Sequence, residues 1–349
     1  MGIRDMQRRD VGRTVLITGG CGFIGTHLAT SLSEQGFRVV VVDRAARPDD
    51  PVESVRLDIA DFPGCVETVR AVDPHLVFHL AAASTIEAAF DDPHGALVAN
   101  IGGTVNMLEA ARIGCTRLER FVFSSTDKVY GELSGDAYVE TSPLDARGVY
   151  DVGKMSADTL VRLYGAEFGL PVSTLRLCNV FGPGDPNTGS RIVPRTLSRV
   201  FAPPGPLPPV IYQGSIAHGR DYAYVTDVVR ALTLIAVDRR ALGEVFNMAP
   251  AGHRTTLDLV EEMIDQARKA CEPHDRDRAD AILENGYEIV AGTGMPRALG
   301  RQHCDAEKLG ALGYRNAVSM SEGLRRTIGW FMRDLGIGPA PGDDRCQTT

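Results

Sequence analysis

A chain of 349 residues with 45 acidic and 37 basic side chains carries a formal net charge of −8 at pH 7. This balance provides no broad basic surface, which argues against nucleic acid as a partner. Apolar residues make up 44% of the chain, a share typical of globular proteins, yet no apolar run approaches the ~20 residues that span a bilayer. The length suits one large domain or two interlocked domains, with no membrane partner.

The seven cysteines are scattered along the chain and show no paired spacing. Such a pattern indicates reduced thiols, a cytoplasmic location and no structural metal site. The polar residues 1–12 lack the apolar centre of a secretory signal. We therefore expect an N-terminal tail over 1–12, and a C-terminal tail over 338–349.

Three glycines, Gly19, Gly22 and Gly25, directly follow the first predicted strand and begin a predicted helix. The first allows a sharp turn, the second lets the backbone approach a pyrophosphate, and the third lets the helix pack closely on the strand. The free N–H groups at the start of the helix, which includes Phe23 and Ile24, would bind the anion. The pattern predicts a dinucleotide site.

A second apolar strand ends at Asp43, 18 residues beyond Gly25. A carboxylate at this position accepts hydrogen bonds from both ribose hydroxyls and repels a 2′-phosphate, so NAD is favoured over NADP. The neighbouring Arg44 weakens this preference slightly.

Short apolar strands alternate with helical patterns through the first half of the chain. The predicted strands cover 13–18, 38–43, 76–80, 120–125 and 172–178, and crossover helices are predicted within 90–114 and 149–169. This alternation predicts an α/β protein of the Rossmann type, with a doubly wound parallel sheet.

The pattern changes beyond residue 180. Glycine and proline are dense over 182–186, and five of the nine residues over 201–209 are proline, so neither segment continues a helix or a central strand. Helical patterns return at 256–271 and 319–335. We predict a dinucleotide-binding domain over 13–180 that also receives elements from about 220–250, and a smaller substrate lobe formed by 181–219 and 251–337.

Tyr150 and Lys154 lie four residues apart, so on a helix they share one face. A nearby ammonium lowers the pKa of a phenol below its usual ~10, and the phenolate can remove a hydroxyl proton while hydride leaves the same carbon. Such a pair alone is common on solvated helices. Its position one crossover after a strand that ends in Ser124, Ser125 and Thr126 favours a catalytic role.

By the order and spacing of these motifs, the chain resembles the extended short-chain dehydrogenase/reductase family, in its nucleotide-sugar epimerase and dehydratase branch. The resemblance extends over about residues 14–330 and rests on 18–25, Asp58, 79–82, Thr126, Tyr150 with Lys154, 179–183 and 219–227. Together these motifs are specific for the family.

This resemblance implies NAD as the cofactor, with Asp58 against the adenine. The residues that it implies around NAD are Gly19, Gly22, Phe23, Ile24, Gly25, Asp43, Arg44, Asp58, Ile59, Leu80, Ala81, Ala82, Asn100, Ser124, Tyr150, Lys154 and Cys178. It also implies a homodimer formed through the helices within 90–114 and 149–169.

The implied substrate is a nucleotide-diphosphate sugar. The residues implied to bind it are Ser84, Thr126, Asn179, Asn187, Arg191, Ile192 and Arg220. Thr126 would bond O4 of the sugar beside Tyr150, and Asn179 and Arg220 would hold the diphosphate, for which a guanidinium is a bidentate clamp.

Three positions differ from the family or have another role. Gly153 stands where a serine usually precedes the lysine, and Arg191 takes the place of a C-terminal arginine that has no clear counterpart. Asp227 is expected to be structural, as a helix cap.

Asp127 and Lys128 follow Thr126 and decide the reaction. The family's 4-epimerases usually have small or neutral residues there, whereas elimination of water across C5 and C6 requires an acid and a base. The dTDP-glucose dehydratases that this region resembles carry Thr-Asp-Glu; the CDP-glucose 4,6-dehydratase-like group carries an Asp-Lys pair, and the stretch 184–194 also matches that group.

We therefore predict an NAD-dependent 4,6-dehydratase, with Asp127 as the acid and Lys128, neutral in a desolvated and cation-crowded site, as the base. The main alternative is a 4-epimerase in which Asp127 and Lys128 merely pair at the pocket rim. A simple alcohol dehydrogenase and a non-catalytic NAD-binding protein are further alternatives. The nucleotide and the hexose stay open.

Overall fold

The computed structural model describes residues 12–46, 52–292 and 299–337. The predicted tails therefore lie outside the described residues, apart from Gly12. The chain forms two compact units: of the described residues, unit 1 contains those up to Cys178 together with Val225–Ala249 and Cys304–Arg315, and unit 2 contains the rest.

The strands in chain order are β1 (Thr14–Thr18), β2 (Arg38–Asp43), β3 (Glu53–Arg56), β4 (Leu76–His79), β5 (Arg120–Thr126), β6 (Val172–Leu177), β7 (Asn179–Phe181), β8 (Val210–Tyr212), β9 (Gly219–Tyr224), β10 (Val245–Asn247), β11 (Gly252–Thr255) and β12 (Glu288–Val290).

The α-helices are α1 (Phe23–Glu34), α2 (Phe62–Val72), α3 (Ile86–Asp91), α4 (Pro93–Leu97), α5 (Gly103–Gly114), α6 (Val149–Phe168), α7 (Ile192–Val200), α8 (Val225–Val237), α9 (Thr256–Cys271), α10 (Arg276–Asn285), α11 (Glu307–Ala311) and α12 (Met320–Asp334). Among the described residues, no helix combines the length and apolar character needed to cross a bilayer.

Unit 1 contains a parallel sheet of seven described strands in the order β10-β6-β5-β4-β1-β2-β3. The central strands β1, β4, β5 and β6 are buried along their whole length. Parallel strands that are buried on both sides are covered by helices on both faces of the sheet, which confirms the predicted Rossmann-type α/β class. One core cluster packs β5 residues such as Phe121 and Phe123 with Met107 of α5 and Val161 of α6.

The helix predicted within 90–114 is divided into shorter elements. Asp92 has φ −130° and ψ 79°, outside the helical region, and its carboxylate accepts a hydrogen bond from Gly95 N at 2.9 Å, which caps α4. Pro93 is the first residue of α4, where its missing N–H costs nothing. A π-helical turn, Val98–Gly102, then leads into α5.

The division of the chain differs from the predicted one at 304–315, which lies in unit 1 rather than in the second lobe. Cys304 forms an isolated bridge with Tyr138, and the Tyr314 hydroxyl donates to the Asp227 carbonyl at 2.9 Å. Asp227 itself lies in the first turn of α8 and forms an ion pair with Arg230 at 2.8 Å, so it is a structural residue within that helix.

Unit 2 contains a small sheet in the order β11-β9-β7, with β11 antiparallel and β7 parallel to β9, and a parallel pair of β12 with β8. Its core packs Phe181 of β7 with Leu197 of α7, Leu259 of α9 and Leu324 of α12. The residues over 201–209 form a connecting loop before β8.

A buried charge pair connects β6 to α6 in unit 1. Arg176 donates from Nε and Nη2 to the two carboxylate oxygens of Asp158, each at 3.0 Å, and from Nη1 to the Tyr130 hydroxyl at 2.8 Å. Arg176 is 1% exposed and Asp158 is fully buried. Arg162, which lies 3.2 Å from Asp158 Oδ1, is half-exposed, so without Arg176 the Asp158 carboxylate would keep only a partner that is itself in contact with water.

We expect Arg176→Met to lower the free energy of unfolding by about 3–5 kcal/mol, because it deprives the Asp158 carboxylate of its bidentate partner. Arg112→Met is the matched control, since Arg112 pairs with Glu109 at the surface and its loss should cost less than about 1 kcal/mol. Urea unfolding measures both values. Equal losses in the two variants would contradict a structural role for the buried pair.

Candidate active site

The turn after β1 has the geometry expected of a phosphate-binding loop. Gly19 has φ +72°, and a Cβ there would lie 2.7 Å from Ala81 N; a Cβ at Gly25 would overlap with the Gly19 carbonyl oxygen. Gly22 is the N-cap of α1, and no side chain caps it. Among the described residues, α1 thus begins without a side-chain cap, as helices that bind an anion at their N-terminus do.

The carboxylate at the end of β2 is held next to this turn. Asp43 Oδ2 accepts from Cys21 N at 3.2 Å and Oδ1 accepts from Ala45 N at 2.9 Å. These bonds fix the carboxylate and leave it partly exposed. Arg44, whose side chain is 78% exposed, lies 3.7 Å from Asp58. An exposed pair of this kind is weak.

The carboxyl ends of β1 and β4 are joined by the buried imidazole of His79. Its Nδ1 lies 2.7 Å from Thr18 Oγ1, and its Nε2 lies 3.1 Å from Thr104 Oγ1 on α5. Burial, together with the charge of Lys154, lowers the pKa of His79 to about 3. The ring is therefore neutral at physiological pH and can bridge the two hydroxyls.

The π-helical turn positions Asn100 against the loop that follows β4. Asn100 Oδ1 accepts from Ala83 N at 2.8 Å, and Asn100 Nδ2 donates to the Ala83 carbonyl at 3.3 Å. Gly153 of α6 packs on this residue, because a Cβ at 153 would lie 3.3 Å from Asn100 Cβ. The glycine in place of the usual serine thus lets α6 approach the turn closely.

Lys154 of α6 places a buried cation against the carboxyl end of β5. Its Nζ donates to the Ser124 carbonyl at 2.6 Å and lies 4.3 Å from the centroid of the Phe123 ring. Burial lowers the pKa of Lys154 to about 8, although the Asp158 carboxylate acts in the opposite direction. Tyr150 lies one turn earlier on α6, so the two side chains share a face as the spacing predicts.

Thr126, Asp127 and Lys128 lie where β5 passes into a short 3₁₀ turn, Asp127–Tyr130. The Thr126 hydroxyl donates to Asp127 Oδ1 and accepts from Lys128 N, both at 3.3 Å. The Lys128 ammonium lies 3.7 Å from Asp127 Oδ1. The surroundings of Lys128 differ from the expected cation-crowded site, since Lys128 pairs with a carboxylate. Asp127 is fully buried, whereas the alternative interpretation places it at the rim of a pocket.

Sequence reasoning missed Asp151, which follows Tyr150 in the first turn of α6. Burial raises the pKa of Asp151; Lys128 lowers it, Asp127 raises it, and a hydrogen bond from the Gly148 backbone lowers it. Within the described structure, Asp151 Oδ1 is buried and has no hydrogen-bond partner. The sequence did contain a signal for this residue: an acid that directly follows the tyrosine lies in the first turn of the same helix, and this turn faces the end of β5.

The remaining predicted residues divide between the units. Unit 1 contains all the predicted cofactor residues, including the buried Ile59 and Cys178. It also contains the predicted substrate residue Ser84, which is exposed. Unit 2 contains the predicted substrate residues Asn179, Asn187, Arg191, Ile192 and Arg220.

Within unit 2, the predicted diphosphate residues are oriented by protein partners. Arg220 donates to the backbone carbonyls of Gly219, Leu299 and Gly300. Asn179 Nδ2 donates to the Asp221 carbonyl at 3.1 Å.

The turn before α7 orients the next two substrate candidates. Arg191 lies at the N-cap of α7, directly before Ile192, and forms an ion pair with the buried Asp185 at 3.2 Å. Asn187 Oδ1 accepts from Ser190 N at 3.0 Å, which shapes the turn.

The chain is similar to known proteins over most of its length. Residues 15–249 match the NAD dependent epimerase/dehydratase family. A trifunctional UDP-glucose 4,6-dehydratase/UDP-4-keto-6-deoxy-D-glucose 3,5-epimerase/UDP-4-keto-L-rhamnose-reductase of Arabidopsis thaliana is 30% identical over 343 residues, which cover 92% of this chain and 47% of that protein. The chain therefore spans about half the length of this plant relative.

Solved structures of both reaction types share the fold. The UDP-glucose 4-epimerase of Thermus thermophilus in complex with NAD is 30% identical with a TM-score of 0.78, covering 91% of this chain and 98% of that chain. The dTDP-glucose 4,6-dehydratase DesIV of Streptomyces venezuelae, solved with NAD bound, is 26% identical with a TM-score of 0.79, covering 93% and 98%.

The raised pKa of Asp151 predicts a pH-dependent effect on stability. Because folding favours the neutral carboxyl, the native state loses stability as the pH rises from the unfolded-state pKa through the folded-state pKa, above which the loss is complete. We expect Asp151→Asn to raise the melting temperature at pH 8, and the gain to shrink as the pH falls toward 4. Differential scanning calorimetry across this range measures it.

Asp73→Asn is a control of opposite sign. Hydrogen bonds from Thr116 lower the pKa of Asp73, so its stabilising contribution is present at neutral pH and is lost in acid. This variant should lower the melting temperature at pH 8. A gain for Asp151→Asn that does not vary with pH would rule out titration as its cause.

Proposed function

Because the chain belongs to the NAD dependent epimerase/dehydratase family, we propose that it is a nucleotide-diphosphate hexose 4,6-dehydratase. The observation that carries this proposal is the group formed by Asp127, Lys128 and Asp151 close to Tyr150. Epimerisation at C4 requires no acid or base beyond the tyrosine, whereas elimination requires both.

The cofactor of the family is NAD, and the residues of unit 1 fit it. The turn of Gly19, Gly22 and Gly25 has space for the pyrophosphate at the start of α1, which no described side chain caps, and Asp43 has the carboxylate that a ribose diol requires. Bound NAD supplies the hydride acceptor for C4 and the hydride donor for the product.

Tyr150 and Lys154 carry the proton transfer at O4. The buried ammonium of Lys154 stabilises the phenolate of Tyr150, which takes the proton from the hydroxyl as the C4–H bond breaks. The Thr126 hydroxyl has one proton, which it donates to Asp127 Oδ1 in this structure; with substrate bound it would turn to donate this proton to O4, while it still accepts from Lys128 N.

Asp127 and Lys128 carry the elimination. Elimination requires Asp127 as the neutral acid and Lys128 as the neutral amine; Lys128 Nζ and Asp127 Oδ1 lie 3.7 Å apart. Lys128 takes the proton from C5, which the 4-keto group has made acidic, and Asp127 gives its proton to the hydroxyl that leaves C6 as water. Lys128 later returns a proton to C5, and the proton that Tyr150 took from O4 replaces the one that Asp127 gave up.

A 4-epimerase is the second candidate. It is favoured by the 30% identity with the Thermus thermophilus enzyme and by the lysine at 128, where the dehydratases that the sequence resembles carry glutamate. For either reaction we propose that Arg191 and Arg220 of unit 2 bind the diphosphate. We also propose a homodimer formed through α5 and α6, in the cytoplasm.

The reaction is identified by its product in deuterated water. With NAD and a panel of UDP-, dTDP-, CDP- and GDP-hexoses, we expect one substrate to lose one water and to gain one deuterium at C5, because Lys128 exchanges its protons with solvent before it returns one. Mass spectrometry and proton NMR read both changes. An unchanged mass with inverted C4 would establish the epimerase instead.

Asp127→Asn is expected to separate the two steps. It should leave C4 oxidation in place, seen as transient NADH absorbance, and slow water loss by about 10²–10⁴-fold because the acid is missing. Tyr150→Phe should abolish the transient itself, and the exposed Asp145→Asn serves as the control that changes neither step. Water loss at the original rate in Asp127→Asn would remove Asp127 from the mechanism.

A further inference from the structure

Three potential metal ligands lie side by side on one face of the small sheet in unit 2. His253 of β11 is the direct cross-strand partner of Asp221 on β9. On the other side of β9, Arg301 forms a parallel bridge with Gly219. Asp221 lies two residues after Gly219 and His303 lies two residues after Arg301, so His303 is next to Asp221. Side chains two residues apart share a face, which explains the row.

The ligand atoms of this row are close enough to share one ion. Nδ1 of His253 lies 2.9 Å from Asp221 Oδ1, and Nδ1 of His303 lies 3.0 Å from the same oxygen. One ligand atom from each of the three residues lies within 4.8 Å of the others. Around a zinc ion with bonds of about 2.0–2.2 Å, neighbouring ligands are separated by roughly 3.3 Å. The two histidine–aspartate separations would therefore widen by a few tenths of an ångström, and the two imidazole nitrogens, within 4.8 Å of each other, would approach by at most about 1.5 Å.

Burial and access also favour an ion here. The Asp221 carboxylate is fully buried, so a divalent cation would add positive charge beside a negative charge removed from water. The imidazoles are 34% and 36% exposed, which gives an ion a route from solvent and leaves room for a water as the fourth ligand. Gly219 provides space for the His253 ring, since a Cβ there would lie 2.5 Å from Nε2.

We propose that Asp221, His253 and His303 form a binding site for a divalent transition metal of the zinc type. Two imidazoles and one carboxylate are a donor set that such ions favour over Mg²⁺ or Ca²⁺. In the metal-bound form, Nδ1 of each imidazole gives its lone pair to the metal, and the ring proton lies on Nε2. The ligands are 32 and 50 residues apart in sequence, which explains why cysteine and histidine spacing does not reveal the site.

A metal bound here would stabilise the segment 299–303, which orients Arg220. Arg220 precedes Asp221, and its guanidinium donates to the carbonyls of Leu299 and Gly300, in the segment that leads to His303. Alternation along β9 places Arg220 on the opposite face of the sheet from the metal ligands. The metal is therefore structural in this proposal.

The test is direct metal binding by the full chain after treatment with a chelator. We expect one Co²⁺ per chain, with visible d–d absorption and no sulfur-to-cobalt charge-transfer band, and displacement of Co²⁺ by Zn²⁺. His253→Ala and His303→Ala should each weaken Zn²⁺ binding by at least about 100-fold in calorimetric titration. Binding is read without turnover, so the result is independent of the proposed dehydratase activity.

Asp221→Asn tests the carboxylate with little change of shape and should also weaken binding, with circular dichroism as the check on folding. His274→Ala removes an exposed histidine of unit 2 and should leave binding unchanged. Zn²⁺ should raise the melting temperature of the unaltered chain and of His274→Ala, but not of the other variants. A charge-transfer band from sulfur, or binding that survives His253→Ala and His303→Ala, would overturn the proposal.

Discussion

The burial of one ammonium group, that of Lys154, is the constraint on which the rest of unit 1 depends. The proposed proton transfer uses a cation beside Tyr150, but removal of an ammonium from water is unfavourable, and burial lowers the pKa of Lys154 to about 8. The fold retains the charge by presenting the Ser124 carbonyl and the face of Phe123 to Nζ. Both groups belong to β5, so these contacts fix the position of α6 relative to the end of this strand.

Burial is the main cause of the neutral state of His79, and the charge of Lys154 adds to it. A second cation beside Lys154 would be strongly unfavourable, and burial together with Lys154 lowers the pKa of His79 to about 3. The neutral ring has one donor and one acceptor, which suits it to bridge Thr18 and Thr104. Thr18 Oγ1 also accepts from Ala81 N at 3.4 Å, directly beside the Gly19 turn. The phosphate-binding turn and the proton-transfer pair are therefore parts of one hydrogen-bonded arrangement.

Local pattern was sufficient to predict the features whose cause is local. The glycine turn, the central strands and the shared face of Tyr150 and Lys154 follow from steric limits and periodicity, and the structure contains them. The break at Asp92 and the three-residue β10 were not predicted, because a single cap or a short edge strand produces no periodicity. Asp151 was missed for another reason: its pKa depends on which groups the tertiary fold places around it.

The charges around Asp151 bear on the proposed elimination, which would proceed with a lysine at 128. The dehydratases that the sequence resembles carry a second carboxylate at that position, whereas here the second carboxyl comes from the first turn of α6. The Asp127–Lys128 ion pair has no net charge, and its two members act on the pKa of Asp151 in opposite directions, so burial is the largest cause that raises this pKa. In the proposed dehydratase, the carboxyl that its relatives carry at the strand end would therefore come from the helix, and the site would still contain two carboxyl groups and one amine.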